Sequence, residues 1–209
     1  MDAEPEQPAP PGEAPRVSAR SRAVRDVALT LFAERGYHGT TMNDIARALG
    51  IRAPSLYNHL RSKQDLLREV IVETSEQVLA DFHAAVAEAE SVSDQLRRAV
   101  EAYVRRHATH RREALIVNRD LRSVEDPAGS EVRSRLREHE HAVRELIERG
   151  RAAGEFEVES PSIASFTILE MSVGVARWFR DDGRLTPDDV ARMYGDFALR
   201  IVGSRASGA

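Results

Sequence analysis

Apolar side chains recur at helical spacing along the chain from Ser18 to Val202, and no segment shows the two-residue alternation of a strand. Beyond the first fifteen residues the chain has four prolines, and each stands where such a helical pattern begins. Proline is tolerated there because the first turn of a helix does not use the backbone N–H that proline lacks. These prolines are Pro54, Pro127, Pro161 and Pro187. The sequence therefore predicts an all-α protein of about nine helices.

Composition excludes several classes of function. The absence of cysteine rules out disulfides, zinc–thiolate sites and thiol chemistry. No apolar run approaches the roughly 20 residues of a membrane helix, and no signal peptide opens the chain. We therefore expect a cytoplasmic protein with no membrane partner.

The motifs of common enzymes are also missing from the sequence. It has no glycine-rich phosphate loop, no G-x-S-x-G elbow and no distinctive pair of carboxylates. His139 and His141 are two residues apart and point to different faces of a helix, which favours a solvated face over a metal site. We expect no catalytic residues, no metal and no cofactor.

Charge is distributed unevenly along the chain. The net charge is −4, yet residues 16–65 hold nine basic and four acidic residues between two acidic segments. A basic block of this kind is typical of a module that contacts phosphates. We expect a disordered tail at 1–15, a DNA-binding domain at 16–65, an effector-binding and dimerisation domain at 66–203 and a flexible terminus at 204–209.

Two short helices separated by a glycine stand within the basic block. Thr41 and Asp44 form a capping-box signature for the first helix, Gly50 ends it, and Pro54 begins the second. A longer helix that ends at Gly36 precedes them. This arrangement predicts a three-helix domain that contains a helix-turn-helix.

The second short helix has an apolar and a polar side. Leu56 and Leu60 are four residues apart, so both are expected to face the neighbouring helices. This orientation leaves Ser55, Asn58 and His59 facing outward. A firmly held helix with an outward polar face suits the major groove of DNA, where its side chains reach base edges.

Other side chains of the region are placed to contact phosphates. Tyr57, at the flank of the helix, and His59 are long enough to reach the DNA backbone. Lys63 lies in the first turn of the following helix, where a phosphate would offset the unfavourable helix dipole and receive free N–H groups. Thr41 has a similar place at another helix start.

The segment LFAERGYHGTTMNDIARALGIRAPSLYNHLRSKQDLL, residues 31–67, closely resembles the N-terminal domain of TetR-type transcriptional repressors. The glycine–tyrosine turn, the double threonine, DIA and SK-DLL carry the resemblance, while Leu60 replaces the phenylalanine that is usual in the family. The resemblance implies a homodimer that binds a palindromic operator in double-stranded DNA, with a C-terminal domain that binds a small effector.

The resemblance also assigns roles by position. It implies phosphate contacts for Thr41, Ser55, Tyr57, His59 and Lys63, and an approach to bases for Arg52, Ala53, Pro54 and Asn58. Because Ala53 offers only an apolar contact, Arg52 and Asn58 are the candidates for hydrogen-bonded readout of sequence.

The C-terminal half carries a second resemblance. The stretches ERGRAAGEFEV and VARWFRDDGRLTPDDVARMYGDFALRIVG are similar to those of TetR-type regulators of lipid, fatty-acid or sterol catabolism, whose effectors are acyl-CoA thioesters. This resemblance implies a repressor released from its operator by a small hydrophobic or acyl-CoA-like molecule. Three alternatives stay open: a response to cationic drugs or other small molecules, an activator, and a module that sequesters a ligand.

The run RRHATHRR, residues 105–112, suggests where an effector binds. Its four arginines can hold a phosphate or carboxylate at a pocket mouth, although a solvated helix end gives the same pattern. His107 lies on an apolar face, which favours a core or pocket histidine. The candidate effector-binding residues are Tyr103, His107, Arg111, Asn118, Arg119 and Trp178, of which the tryptophan also suits a core or a dimer interface.

The last two predicted helices are amphipathic and are expected to pair with a second copy of the chain. Their apolar residues recur at helical spacing. The candidate dimer-interface residues are Phe166, Val173, Val190, Met193, Tyr194, Phe197 and Ile201.

Overall fold

The computed structural model describes residues 19–87 and 89–204, and over these ranges the chain is all-α. The helices are α1 (Ala19–Arg35), α2 (Met42–Ala48), α3 (Ala53–Leu56), α4 (Lys63–Ala87), α5 (Val92–Thr109), α6 (Arg111–Asp120), a 3-10 helix (Leu121–Ser123), α7 (Ala128–Ala152), α8 (Pro161–Val173), α9 (Val175–Trp178) and α10 (Pro187–Ile201). Only Gly174 separates α8 from α9, so the described helices agree with the predicted architecture. The predicted tail at 1–15 and residues 205–209 lie outside the described ranges.

None of the helices in these ranges combines the length and the apolar character that a membrane crossing requires. The helices instead place apolar side chains on the faces that meet one another. In the C-terminal part, α5 packs along α10 and also contacts α4 and α7. This central position makes α5 a wall of any cavity within the C-terminal part.

Helix starts follow the predicted capping signals. At α2, Thr41 Oγ1 accepts the Asp44 N–H at 3.1 Å, and the Thr41 N–H donates to the Asp44 carboxylate at 3.0 Å. This reciprocal pair completes the capping box, and α10 begins with a box of the same type. At α4, Ser62 Oγ accepts the Asp65 N–H at 2.9 Å. The starts of α2, α4 and α10 are therefore fixed by local hydrogen bonds.

The helix-turn-helix is present, and its second helix, α3, is very short. It forms a single helical turn, and residues 57–59 form the turn that follows. Leu56 and Leu60 are buried as predicted, and the Leu60 N–H donates to the Leu56 carbonyl at 3.0 Å. Gly50, with φ of +66°, allows the reversal between α2 and α3. Buried leucines thus hold both ends of the exposed turn.

The described residues form two hydrophobic cores that share α4. The core of α1–α3 includes Leu67 and Ile71 from the first half of α4, together with Ile116 of α6. The core of α5 and α7–α10 includes Phe82 from the other half of α4. The N-terminal core therefore extends past the domain boundary predicted between residues 65 and 66. Any shift of α4 acts on both cores because the helix is continuous.

Candidate functional site

The residues predicted to meet DNA lie together around α3. The exposed residues among them are Arg52, Pro54, Ser55, Tyr57 and Asn58, and Tyr57 is 55% exposed. Among the described residues, no side-chain hydrogen bond or ion pair engages the side chains at 52, 57 and 58. We call residues 52–59 the recognition face. Its polar side chains are free to contact a duplex.

Three neighbouring candidates are more constrained than the rest of this surface. Ala53 is partly buried against the N-terminal core. His59 is partly buried, and its Nδ1 lies 3.3 Å from Ser21 Oγ of α1. The hydroxyl of Thr41, besides capping α2, donates to the carboxylate of Asp44. These contacts orient the side chains before any DNA is present.

Lys63 points inward, towards the turn between α1 and α2. Its Nζ donates to the carbonyls of Tyr37 and Thr40, each at 2.8 Å, and lies 4.1 Å from the centre of the Tyr37 ring. Desolvation lowers the pKa of the ammonium, and the carboxylate of Asp120 opposes that shift. These two carbonyls already compensate the positive charge of Lys63. The unfavourable helix dipole is therefore no longer a reason to expect a phosphate at this residue.

The same turn is held from the opposite side by α6. The buried carboxylate of Asp120 accepts the Tyr37 N–H at 3.3 Å and the Nε–H of Arg119 at 3.2 Å. Arg119 also donates to the carbonyls of Phe32 and Ala33, at the end of α1 where carbonyls lack helical partners. Arg119 therefore joins the two parts of the protein and does not line an effector cavity.

Further polar contacts extend this connection. Gln64 Nε2 donates to the Ser123 carbonyl at 3.0 Å, and Gln64 Oε1 accepts the Tyr37 hydroxyl at 2.6 Å. His38 Nε2 lies 2.8 Å from Ser123 Oγ. We call the set of Tyr37, His38, Lys63, Gln64, Arg119, Asp120 and Ser123 the junction. It connects α6 and the 3-10 helix to the turn that precedes the helix-turn-helix.

A narrow space, too tight to hold a water molecule, lies between α4, α5 and α7, and we call it the cavity. Its walls are Val78, Phe82, Ala99, Tyr103 and His139, and Asp81 and Arg106 stand at its rim. The Tyr103 ring lies between two imidazoles, with centroids 4.3 Å from His107 and 4.7 Å from His139. Two predicted effector-binding residues, Tyr103 and His107, therefore come together beside the cavity.

Both histidines of this cluster are buried and neutral at pH 7. Burial lowers the pKa of each to about 4, and the positive charge of Arg106 acts in the same direction on His107. His107 Nδ1 lies 2.8 Å from the Tyr103 carbonyl, which only accepts hydrogen bonds. We therefore assign the proton to Nδ1, which leaves Nε2 as an acceptor. Burial also raises the pKa of the Tyr103 hydroxyl.

His139 is a cavity residue that the sequence analysis missed. It continues the apolar stripe of Val132, Leu136 and Val143 on α7 at a spacing of three and four residues, and this spacing was the available signal. His139 is 3% exposed, whereas His141 is exposed. The solvated face predicted for this pair of histidines therefore holds for His141 alone.

The remaining effector candidates lie away from the cavity. Arg111 Nε donates to the Ala176 carbonyl at 3.1 Å and links α6 to α9. Asn118 is exposed on α6. Trp178 is 48% exposed, and its ring stacks on Tyr194 with centroids 6.4 Å apart. Contacts between distant parts of the chain, which spacing does not encode, set the positions of Arg111 and Trp178.

The helices at the C-terminus expose several large apolar side chains. Those between 43% and 65% exposed on α8–α10 are Ile163, Phe166, Trp178, Met193 and Phe197. We call them the apolar face. Val173, Tyr194 and Ile201 are partly buried. Val190, predicted for the same interface, is 1% exposed within the C-terminal core and so cannot contact a second chain.

Comparison with known proteins identifies the two parts separately. Residues 24–70 match the family model described as bacterial regulatory proteins, tetR family. Residues 89–202 match the model of the Tetracyclin repressor-like C-terminal domain. These ranges contain the recognition face and most of the walls of the cavity, respectively.

Individual relatives extend the similarity over nearly the whole chain. The HTH-type transcriptional repressor KstR2 of Rhodococcus jostii (strain RHA1) is 32% identical over 198 residues, which cover 92% of this chain and 95% of that protein. The ketosteroid transcriptional regulator KstR2 of Mycobacterium tuberculosis has the same fold, with a TM-score of 0.83, 23% identity, and coverage of 92% and 99%. AibR, in complex with isovaleryl coenzyme A and operator DNA, has a TM-score of 0.72, 22% identity, and coverage of 88% and 99%.

The buried histidines predict a loss of stability in mild acid. Below the ordinary pKa of 6.5 the unfolded chain gains protons that the folded chain does not bind until about pH 4. The free energy of unfolding should therefore fall from pH 6.5 towards pH 4 by about 1.4 kcal/mol per pH unit for each histidine. Urea unfolding across this range measures the slope. His139→Gln should remove part of it, and His141→Gln should not; equal effects of the two changes would contradict this assignment.

Proposed function

Because the chain belongs to the TetR family of bacterial regulatory proteins, we propose that it represses transcription as an operator-bound homodimer and leaves DNA when an acyl-CoA-like effector binds. The recognition face is the observation that carries this proposal. Its unpartnered Arg52, Tyr57 and Asn58 stand on a turn fixed by buried leucines. Such a protein works in the cytoplasm, and we assign it no catalytic role.

We assign different roles to the side chains of the recognition face. Arg52 and Asn58 are the readers of sequence, since a guanidinium pairs well with guanine and an amide with adenine. Tyr57, Ser55 and His59 bind phosphates and set the register. Thr41 joins them when its hydroxyl turns from the Asp44 carboxylate to a phosphate. Ala53 and Pro54 approach bases without hydrogen bonds. Lys63 contributes to phosphate binding chiefly in an indirect way, because its hydrogen bonds hold the turn before α2.

We assign the apolar face to the homodimer. Apolar patches exposed on a protein surface often mark a contact surface. A symmetric pair formed through α8–α10 gives two recognition faces, and a palindromic operator presents successive major grooves about 34–36 Å apart. Each recognition face then reads one half of the operator.

The lining of the cavity suits an effector that is partly apolar, and α4 and α5 must move apart to admit it. Its walls combine valine, phenylalanine and alanine with the polar atoms of Tyr103 and His139. Two relatives favour a sterol-derived or acyl-CoA effector. One is described as a ketosteroid transcriptional regulator, and the other, AibR, binds isovaleryl coenzyme A. A cationic drug stays the alternative, since Asp81 stands at the rim beside Arg106. The repressor relatives favour repression over activation.

We propose that the junction carries the signal from the cavity to the recognition face. The cavity lies on the second half of α4, and Lys63 and Gln64 stand at the start of the same helix. An effector that moves α4 therefore changes the contacts of the turn before α2. Because the coupling is reciprocal, operator DNA weakens effector binding by the factor by which effector weakens DNA binding.

Substitutions in the recognition face separate sequence readout from phosphate binding. Arg52→Ala should weaken binding to the operator by about 1–3 kcal/mol and relax base preference at one position in each half-site. Tyr57→Phe should weaken operator and random DNA equally, because the lost hydroxyl meets only the backbone. Binding titrations on operator variants and on random DNA measure both effects.

The control for these substitutions is Arg192→Ala. Arg192 is an exposed arginine of α10, paired with Asp189 of the same helix, so its loss should leave DNA binding unchanged. An equal loss on operator and random DNA for Arg52→Ala would refute its role as a reader.

The apolar face predicts the site of dimerisation. A double change, Phe166→Asp with Phe197→Asp, should convert the dimer to monomers in light scattering, because burying an unpaired carboxylate at the interface is costly. Operator binding should fall with it. Leu185→Asp is the matched control, since Leu185 is also exposed, by 42%, but precedes α10. A double variant that stays dimeric would contradict this surface assignment.

A further inference from the structure

Exposed arginines surround the point where α1 meets the recognition face. Ser21 Oγ, in the first turn of α1, lies 3.3 Å from Nδ1 of His59, so this turn stands at the edge of the recognition face. Exposed arginines occur next to Ser21 in the sequence, two residues after His59, and within the recognition face itself. We call this set the arginine edge, and it consists of Arg20, Arg22, Arg52 and Arg61.

The guanidinium groups of the arginine edge have no partner within residues 19–87 and 89–204. No hydrogen bond or ion pair engages any of the four there. Carboxylates of the N-terminal part are paired elsewhere: Arg25 binds both Glu69 and Glu73 of α4, and Asp44 caps α2 and pairs with Arg47. The arginine edge is therefore a positive surface without a compensating anion in this part of the chain.

The segment that precedes α1 carries the opposite charge. Residues 1–15 contain four acidic residues, Asp2, Glu4, Glu6 and Glu13, and no basic residue. Glu13 lies six residues before Ala19, where α1 begins, and six residues can span up to about 20 Å. A segment tethered this close to a site acts on it at an effective concentration on the order of millimolar. Its carboxylates can therefore reach the arginine edge of their own subunit.

The rest of the chain offers these carboxylates a poorer place. Residues 66–209 hold 21 basic and 26 acidic residues, so the C-terminal part repels an acidic segment on average. Several of its arginines also have carboxylate partners, such as Arg98 with Asp94 and Arg105 with Asp188. Charge complementarity therefore directs the acidic segment to the arginine edge.

We propose that residues 2–13, which we call the acidic segment, occupy the arginine edge when no DNA is bound and that DNA phosphates displace them. The carboxylates take the place of phosphates through charge-assisted hydrogen bonds to guanidinium groups. Exposed pairs of this kind are weak and are screened by salt, so a duplex with its dense row of phosphates replaces them. This inference rests on the proposed DNA contact of the recognition face and adds an intramolecular competitor to it.

Removal of the four negative charges tests the competition. In the full-length protein, Asp2→Asn, Glu4→Gln, Glu6→Gln and Glu13→Gln together form the neutral-segment variant. At about 50 mM salt this variant should bind operator and random DNA at least about fivefold more tightly than the unchanged protein, because DNA no longer displaces a bound anion. Fluorescence anisotropy titrations measure both dissociation constants.

Salt dependence distinguishes displacement of the acidic segment from other causes. Arginines that are already paired with carboxylates release fewer counterions to DNA. The slope of log K against log salt should therefore be steeper in the neutral-segment variant by at least about 1, and its advantage should shrink below about twofold near 300 mM salt.

The control changes the net charge by the same amount at a distance from the recognition face. It combines Glu138→Gln, Glu159→Gln, Asp181→Asn and Asp182→Asn, four exposed carboxylates of the C-terminal part. This variant should bind DNA within about twofold of the unchanged protein, because surface charges farther apart than a Debye length are largely screened.

A second measurement detects the contact without DNA. The chain has no cysteine, so Gln7→Cys places a single nitroxide label within the acidic segment. In the free protein the label should broaden the backbone amide signals of Tyr57 and Asn58. The broadening should disappear in the neutral-segment variant and in about 1 M salt, where the Debye length falls to about 3 Å.

Three results would each overturn the inference. These are equal affinities of the neutral-segment variant and the unchanged protein at low salt, an equal gain of affinity in the control variant, and no broadening at the recognition face. The regulator function fails in a different way. An unchanged protein that does not bind its operator, but whose label broadens these signals through the four acids, would refute that function and leave the contact standing.

Discussion

A buried carboxylate at the meeting point of the two cores constrains the whole arrangement. Asp120 is 5% exposed and binds the backbone N–H of Tyr37 and the guanidinium of Arg119. On the other side of the same turn, the ammonium of Lys63 lies against the Tyr37 ring and carbonyl. Removing one partner would leave a buried charge unsatisfied, which is far less favourable than losing an exposed pair. The DNA-binding helices are therefore held at a fixed position on the C-terminal part.

The continuous helix α4 explains how a cavity and a DNA surface can influence each other. Its first turn belongs to the junction, the rest of its first half packs in the N-terminal core, and Val78, Asp81 and Phe82 line the cavity. A tightly packed interior transmits a shift of such a helix because its side chains have few alternative arrangements.

Local sequence signals were sufficient to predict the helix starts and the inward leucines of the recognition face. Thr41 and Asp44 are three residues apart, and Leu56 and Leu60 are four apart, so their interactions depend on spacing alone. The position of Arg119 depends on partners more than eighty residues away in the sequence. The position of Val190 depends on the rotation of its helix, which turns this side chain into the C-terminal core. Spacing identifies an amphipathic helix, but it does not decide which apolar residue faces its own core.

The position of the DNA-binding helices can be measured directly. The chain has no cysteine, so Ala48→Cys on the exposed side of α2 accepts one spin label in each subunit. Double electron–electron resonance then gives the distance between the two labels in the dimer. With the junction intact we predict a single narrow distance distribution, and with Arg119→Gln a broad one, because α6 loses its hydrogen bonds to the carbonyls at the end of α1. An equally narrow distribution in the variant would contradict the central role of the junction.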